Sequence, residues 1–438
     1  MRAISLFSNC GAGDVGFRKA GFQFDVLAEI DPSRLHVARL NHPEATPIEG
    51  DLRTTWRSVV RRYREVAGDA RLALLSACPP CQGMSSVRGN RGSEEDPDAG
   101  NRDERNLLVL PIARVANALK PRAIVVENVP AFFRRLVREP VTGKSISAAT
   151  LLITSLQKDY VVYPILCDLA DFGVPQTRRR AFLTFIHRDE VAVELLRAAK
   201  SAPYPRPTHG TWRTRVTITK ALDRAMLSPL DARSAELAAD AHRPLHFVPV
   251  WDSQKYAMVS AIPRNTGRSA WENSRCPRCK NWVDDCDTAR CRICRAELLR
   301  PIVRNANGSV RLIRGFRWSS YRRLHASRPA STITTASGHI GSAFTIHPSQ
   351  NRVLSPLECA IIQTFPKCFQ WGDRLDSFGV SAIRDMIGEA VPPLFTAKHG
   401  RVIKGLLTLS SRQTRLPMAD GRCSRAEQLL RYSQRNSS

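Results

Sequence analysis

The chain has 438 residues, and its 66 lysines and arginines against 40 acidic residues give a formal net charge of +26 at pH 7. Such an excess predicts a polyanionic partner, with nucleic acid as the leading candidate, although a generally basic soluble protein would share this composition. No apolar run reaches the length of a membrane span, which excludes an integral membrane protein. Met1–Phe7 is too short for a signal peptide, so we expect a cytoplasmic protein, nucleoid-associated if its source is prokaryotic.

The first part of the chain, over residues 1–190, alternates apolar strands with amphipathic helices. This order predicts an α/β domain with a doubly wound mixed sheet and helices on both faces. The predicted strands are Ala3–Phe7, Phe24–Ile30, Leu72–Ala77, Ala123–Val129, Tyr160–Cys167 and Arg180–His187. The predicted helices are Asp14–Ala20, Pro32–Leu40, Thr54–Ala67, Asn106–Lys120 and Ser147–Lys158.

The polar segment Gly83–Arg105 interrupts this alternation. A long loop inside a compact domain is typical of an active-site lid, and a variable surface loop is the alternative.

The composition changes after about residue 200, where the strand and helix alternation is lost. Ser201–Thr214 is rich in Pro, Arg and Thr and is typical of a linker. The alternation returns around Ser331–Ile346, and helices are predicted at Ser355–Phe365 and Ser381–Met386. We therefore predict a smaller irregular domain over 191–326, a return segment over 327–404 that completes the first domain, and a disordered basic tail over 405–438.

Two neighbouring strands are predicted to end in reactive side chains. Cys78-Pro79-Pro80-Cys81-Gln82 follows one strand, and Glu127 lies near the end of the next. The carboxyl ends of parallel strands face one crevice, where open α/β sheets bind ligands. A thiolate beside a carboxyl group suits covalent chemistry on an electron-poor ring. Cys78 and Cys81 also have the spacing of a thioredoxin-like redox pair, but such a pair normally opens a helix in a small domain and requires no Glu127.

Three further strand ends carry residues suited to a nucleotide-like ligand. The turn from Phe7 to Asp14 contains Gly11 and Gly13, and such a turn aims backbone amides at a ligand. Glu29 could accept hydrogen bonds from both ribose hydroxyls. Asp51 could accept from an adenine amino group, although an N-cap is the simpler interpretation of Asp51 taken alone.

Together these motifs resemble those of the DNA (cytosine-5)-methyltransferase family, over the first 190 residues and again from about 325 to 404. The matching segments are Pro79-Pro80-Cys81-Gln82, Glu127-Asn128-Val129, Gln176-Thr177-Arg178-Arg179-Arg180, Arg328–Thr334, Arg352–Pro356, Gln363–Pro366 and Gly388–Pro392. The stretch between the two regions corresponds to the variable target-recognition region of that family. Asn9 and Ala12 replace common glycines, and Glu389 replaces a common Asn.

The resemblance implies a class I, Rossmann-like fold that uses S-adenosylmethionine. It implies the catalytic residues Cys81, Glu127, Arg178 and Arg180. It implies cofactor contacts from Phe7, Gly11, Glu29, Ile30, Asp51, Leu52, Pro80 and Val391.

The activity implied is methyl transfer to carbon 5 of cytosine in a specific duplex DNA sequence. Cys81 would attack carbon 6 of an extruded base, a protonated Glu127 would assist at ring nitrogen 3, and Arg180, with Arg178, would hold the base oxygen. An RNA (tRNA) cytosine-5 methyltransferase and an inactive DNA-binding regulator are the alternatives. The large variable region favours DNA, and the intact catalytic set argues against an inactive protein. We expect a monomer, and a cognate restriction endonuclease is a possible partner.

Five of the twelve cysteines crowd between Cys276 and Cys294. Cys276-Pro277-Arg278-Cys279 and Cys291-Arg292-Ile293-Cys294 are two CxxC knuckles with eleven residues between them. This spacing predicts a closed tetrahedral site in which Cys276, Cys279, Cys291 and Cys294 hold a structural Zn²⁺, with free cysteines as the alternative. Cys286 lies between the knuckles and is interpreted as a bystander.

Overall fold

A computed structural model of the chain describes residues 1–80, 104–210, 213–313, 319–372 and 375–410. The predicted nucleophile Cys81, all but the last two residues of the predicted lid, and the tail from residue 411 lie outside the described residues. Within the described part of the chain, no helix is long and apolar enough to cross a membrane.

The described strands and helices are numbered in chain order. The strands are β1 (Arg2–Leu6), β2 (Gln23–Glu29), β3 (Thr46–Glu49), β4 (Leu74–Ala77), β5 (Ala123–Asn128), β6 (Leu136–Arg138), β7 (Ser145–Ser147), β8 (Tyr160–Asp168), β9 (Arg179–His187), β10 (Ile302–Arg304) and β11 (Val310–Leu312). The helices are α1 (Ala12–Lys19), α2 (Pro32–Asn41), α3 (Leu52–Ala67), α4 (Val109–Leu119), α5 (Ala148–Leu156), α6 (Val191–Ala198), α7 (Ile218–Asp223), α8 (Ser253–Ser260), α9 (Pro356–Ile362), α10 (Leu375–Glu389) and α11 (Pro393–Leu407).

Seven strands form one mixed sheet in the order β3-β2-β1-β4-β5-β9-β8. The five strands from β3 to β5 are parallel, whereas β9 runs antiparallel to both β5 and β8. The chain winds outward in one direction from β1 to β3 and in the other from β4 to β5. The strand order therefore reverses between β1 and β4, which is where sheets of this kind bind ligands. The predicted α/β class with a parallel-rich mixed sheet is confirmed.

Alternating side chains of the strands enter two apolar cores, one on each face of the sheet. Ile4 of β1 packs with Val59 of α3 and Ile112 of α4, all fully buried. Ala3, the preceding residue of β1, lies in the opposite core with Phe395 of α11. Burying both faces explains why the central strands are nearly continuous apolar runs.

The structure corrects three expectations about individual elements. The edge strand β3 was expected only as a strand end before Asp51, and its bounds were not predicted, since it is only four residues long and contains Pro47, a residue that sheets tolerate at an edge. Helix α3 begins at Leu52 instead of Thr54, because the Asp51 carboxylate accepts the Arg53 amide at 2.8 Å and caps the helix. Ser331–Ile346, where the strand and helix alternation was expected to return, contains no strand or helix.

The region between α6 and α9 is irregular, with helices α7 and α8 and the hairpin β10-β11. Arg323 is fully buried there and donates to the backbone carbonyls of four residues and to the side chain of Asn351. Such a region has few ladder hydrogen bonds of its own, so a buried guanidinium with five donors satisfies carbonyls that would otherwise lack partners.

The last helix returns to the sheet domain and packs against the first. Helix α11 lies on α1, where a Cβ at Gly16 would overlap the Thr396 hydroxyl oxygen and the Pro393 carbonyl oxygen. Thr396 also donates to the Gly13 carbonyl at 2.7 Å. Helix α6 packs on α11 through Ala192 and Leu196, so the sheet domain continues past residue 190.

Replacing Gly16 by Ala should lower the free energy of unfolding by about 1–3 kcal/mol, because the added methyl group forces α1 and α11 apart. Urea denaturation followed by circular dichroism measures this change. Gly341→Ala is the matched control, since its Cβ would come no closer than 3.2 Å to the neighbouring His339 ring. Equal stability of the two variants would show that the contact between α1 and α11 is not tight.

Candidate active site

A cavity of about 490 Å³, counting the open solvent at its mouth, lies where the strand order reverses. It is lined by the turn between β1 and α1, by the ends of β4 and β5, and by the segment between α10 and α11. Of the residues predicted to act in a site, Phe7, Glu127 and Val391 line this cavity. The cavity thus joins the N-terminal part of the chain to the return segment.

The turn between β1 and α1 is built from alternating left-handed residues. Phe7, Asn9 and Gly11 have φ angles of 56°, 49° and 74°. Asn tolerates this region better than most residues, and the Asn9 side chain accepts the Cys10 amide at 2.7 Å and donates to the Met386 carbonyl at 3.0 Å. Asn9 therefore supports the turn at a position where glycine was expected.

Glu29 is bound by the backbone around it. Its carboxylate accepts the amides of Asn9 at 2.7 Å, Ile30 at 2.9 Å and Asp31 at 3.2 Å. Burial raises the pKa of Glu29, and these hydrogen bonds oppose the shift. Ile30 directly follows the carboxyl end of β2, and 62% of its surface is exposed. This strand end therefore presents an apolar side chain next to the Glu29 carboxylate.

The other described residues that were predicted to act in the site do not line the cavity: Gly11, Glu29, Ile30, Asp51, Leu52, Pro80, Arg178 and Arg180. The Asp51 carboxylate lies 2.7 Å from the Arg53 guanidinium, and this contact lowers the pKa of Asp51. Leu52 is buried in the core beneath α3. Pro80 is partly exposed and is the last described residue before the segment that contains Cys81.

The two carboxylate oxygens of Glu127 have different contacts: Oε1 has an ion-pair contact but accepts no well-aligned hydrogen bond, whereas Oε2 accepts one. Arg180 Nε lies 2.8 Å from Oε1, and the Cys78 thiol donates to Oε2 at 2.9 Å. The sheet explains both contacts, since β9 runs beside β5, and the pairing of Ala77 with Val126 places Cys78 beside Glu127. The structure brings Glu127 and Arg180 together as predicted.

Arg178 lies elsewhere, which corrects the expectation that it acts beside Arg180. Its side chain is 1% exposed, and its guanidinium donates to the carbonyls of Ile333 at 3.0 Å, Gly388 at 2.9 Å and Ala390 at 3.0 Å. The sequence could not show this, because all three acceptors lie more than 150 positions away. Arg178 anchors the return segment that lines the cavity.

Asp14 also lines the cavity, although no role was predicted for it. It is 4% exposed, and burial raises the pKa of its carboxyl group to about 7, against the effect of a hydrogen bond with Ser5. The only signal in the sequence was its place directly after the glycine-containing turn.

The four cysteines of the two knuckles converge. Their sulfur atoms all lie within 4.8 Å of one another, with 3.5 Å between Cys276 and Cys294 and 3.7 Å between Cys279 and Cys291. The knuckles have matching backbones, because Lys280 and Arg295 occupy equivalent left-handed positions and each donates its amide to the first cysteine of its knuckle. Cys286 is exposed and outside this group.

Comparison with known proteins identifies the class. The profile of the C-5 cytosine-specific DNA methylase family matches residues 1–405. The chain is 26% identical to the Type II methyltransferase M1.HgaI of Avibacterium volantium over 91% of this chain and 97% of that protein. It is 35% identical to the Type II methyltransferase M.AquIA of Picosynechococcus sp. over 48% of this chain and 77% of that protein.

Among solved structures, the fold is similar to a putative DNA modification methyltransferase encoded within a prophage in E. coli. The TM-score is 0.54 at 21% identity, with 93% of this chain and 100% of that one covered.

The chain belongs to the C-5 cytosine-specific DNA methylase family. It is a DNA (cytosine-5)-methyltransferase, and its family implies S-adenosylmethionine as the methyl donor.

Replacing Arg178 by Met should lower the free energy of unfolding by about 3 kcal/mol, because three buried carbonyls lose their donor. Arg179→Met is the matched control, since Arg179 is exposed and should change stability by less than about 0.5 kcal/mol. Urea denaturation compares the two variants. Loss of methyl transfer in Arg178→Met at unchanged stability would instead place Arg178 in the chemistry.

Proposed function

We propose that the enzyme methylates an extruded cytosine through a covalent adduct with Cys81, assisted by Glu127 and Arg180. The observation that supports this most directly is the ion pair between Arg180 and Glu127. Glu127 lines the cavity at the end of β5, next to the strand that leads to Cys81. Asn128 donates to the Pro79 carbonyl at 3.0 Å and so ties this strand end to the Pro-Pro-Cys segment.

The chemistry follows from the residue types. The Cys81 thiolate attacks carbon 6 of cytosine, forms a carbon–sulfur bond and makes carbon 5 nucleophilic. Glu127 holds a proton at ring nitrogen 3, and Arg180 stabilises negative charge on the base oxygen. Once carbon 5 carries the methyl group, its proton passes to water. The electrons of that carbon–hydrogen bond restore the double bond between carbons 5 and 6, so the carbon–sulfur bond breaks and Cys81 leaves as the thiolate.

We propose that this cavity is where the donor that the family implies binds. Bound there, S-adenosylmethionine would supply an electrophilic methyl group. The turn at Phe7 and Gly11, the start of α1 and Val391 would hold its amino acid end, since backbone amides at a helix start favour a carboxylate. Glu29 would accept hydrogen bonds from the ribose hydroxyls of the cofactor, and Ile30 would cover its adenine ring.

The remaining predicted cofactor contacts are Asp51, Leu52 and Pro80, and we propose that they border the bound cofactor. Asp51 and Leu52 stand at the next strand end, where the Asp51 carboxylate would exchange Arg53 for the adenine amino group. Pro80 would close the cavity from the side of Cys81.

Duplex DNA requires that the target base leave the stack, since neither the thiol nor the methyl donor can reach carbons 5 and 6 inside a helix. We infer that the irregular region between α6 and α9 reads the DNA sequence and that the enzyme acts as a monomer. The names of the relatives, Type II methyltransferases, support a place in a restriction-modification system with a cognate endonuclease.

We further propose that Cys276, Cys279, Cys291 and Cys294 bind one structural Zn²⁺. With Zn–S bonds of about 2.3 Å, a tetrahedron separates its sulfurs by about 3.8 Å. The separations of 3.5 Å between Cys276 and Cys294 and 3.7 Å between Cys279 and Cys291 are close to this value and far longer than a disulfide bond. Four thiolates close the shell, so the metal would stabilise the lobe and take no part in catalysis.

Replacing Cys81 by Ser should lower methyl transfer by on the order of 10³-fold or more, because a hydroxyl is a far weaker nucleophile than a thiolate. The assay combines mixed-sequence duplex DNA with labelled S-adenosylmethionine, followed by bisulfite sequencing, which also gives the recognised sequence.

Cys368→Ser, which changes an exposed thiol, is the control and should keep full activity. DNA binding by Cys81→Ser should persist in a mobility-shift assay. Undiminished methylation by Cys81→Ser, or methylation of RNA alone, would refute the proposal.

Removal of the metal should weaken DNA binding and leave cofactor binding intact, because the Cys₄ lobe is separate from the cavity. Elemental analysis should find one zinc per chain in the native protein and in Cys286→Ser, and a clear loss in Cys276→Ser. Native protein that is free of metal yet fully stable would contradict the assignment.

A further inference from the structure

Cys78 is the first cysteine of the Cys78-Pro79-Pro80-Cys81 sequence, and the mechanism proposed above assigns it no role. Its side chain lines the cavity and donates a hydrogen bond to Glu127 Oε2 at 2.9 Å. Strand register favours this contact, because Cys78 directly follows β4, whose last residue Ala77 pairs with Val126, and Glu127 is the next residue of β5. The hydrogen bond therefore joins two side chains that the sheet brings close together.

The two contacts of Glu127 differ in what they allow. Arg180 is a long side chain that is 13% exposed, so its guanidinium can move from Oε1 to a base oxygen when a nucleotide enters. The Cys78 thiol sits on a short side chain at a strand end and has no such reach. During base entry, Oε1 can be released while Oε2 stays bound.

A hydrogen bond to one carboxylate oxygen matters because the carboxyl group of a glutamate rotates easily about its last side-chain bond. The last χ angle of Glu has a broad, roughly two-fold distribution, so one fixed oxygen is needed to set the plane of the group. Glu127 is 5% exposed, and the apolar side chains of Ala77, Val125 and Phe182 line the same cavity. Losing the thiol donor would leave one carboxylate oxygen facing largely apolar surroundings.

We propose that Cys78 is a positioning residue for methyl transfer: its thiol fixes Oε2 of Glu127, so that Oε1 faces ring nitrogen 3 of the extruded cytosine once Arg180 moves to the base. This inference rests on the proposed function of Glu127. It requires a hydrogen-bond donor at position 78, so a serine hydroxyl should replace the thiol and an alanine methyl group should not.

The first test compares Cys78→Ala and Cys78→Ser in the full-length enzyme. Cys78→Ala should lower kcat by about ten-fold or more with the KM for DNA and for S-adenosylmethionine unchanged, since the lost contact orients a group that acts only on the reacting base. Cys78→Ser should stay within about three-fold of the wild type. Cys368→Ala is the control for loss of a thiol outside the cavity, and thermal melting verifies that each variant is folded.

The second test observes the hydrogen bond itself by infrared spectroscopy. Subtracting the spectrum of Cys78→Ser from that of the wild type isolates the S–H stretching band of Cys78. In a Glu127→Gln background the same subtraction should give a band at higher frequency, because a neutral amide is a weaker acceptor than a carboxylate. An unchanged frequency would show that the thiol does not donate to Glu127.

Glu127→Gln also separates the two levels of inference. If it retains full activity, the proposed role of Glu127 fails. If it is inactive while Cys78→Ala is fully active, or Cys78→Ser is as impaired as Cys78→Ala, the role of Glu127 stands and the positioning role of Cys78 is overturned.

Discussion

The buried guanidinium of Arg178 is the contact on which the active-site architecture depends. The cavity is lined by two parts of the chain that lie about 200 residues apart, and a separate irregular region is inserted between them. Arg178 stands directly before β9 and binds the Gly388 and Ala390 carbonyls, which flank a residue of the cavity wall. Gln176 adds to this connection between the two parts of the chain. Its side chain donates a hydrogen bond to the Gln363 side chain at 2.7 Å and accepts one from the Ile333 amide at 3.0 Å.

The sequence predicted the parts of the site that depend on local order. Strand ends are set by apolar runs and turns, and parallel strands share one edge, so Glu127 and the turn at Phe7 were placed together without any coordinates. Arg180 lies beside Glu127 because β9, which contains Arg180, pairs with β5. The four knuckle cysteines likewise form a group through their own short loops.

Most features of the site that the sequence could not predict depend on contacts with residues far along the chain. Arg178 and Arg180 look equivalent in the sequence, and only the distant carbonyls of the return segment distinguish the buried anchor Arg178 from Arg180, which lies beside Glu127. Asp51 was ambiguous for a different reason: an N-cap was the simpler interpretation of its place in the sequence, and the structure shows that role together with a contact to Arg53, only two residues away. The thiol of Cys78 was without a role until the register of β4 and β5 placed it beside Glu127.

The excess of basic residues includes arginines buried inside the protein as well as cations on its surface, and a count of residues does not distinguish the two. The largest fully buried side chains include Arg178, Arg300, Arg323 and Arg352. Arg352 pairs with Glu358, whereas the other three bind mainly backbone carbonyls and so replace the ladder hydrogen bonds that irregular regions lack. These cations cannot touch a phosphate. The number of counterions displaced when the protein meets a polyanion will therefore be smaller than the formal charge of +26 suggests.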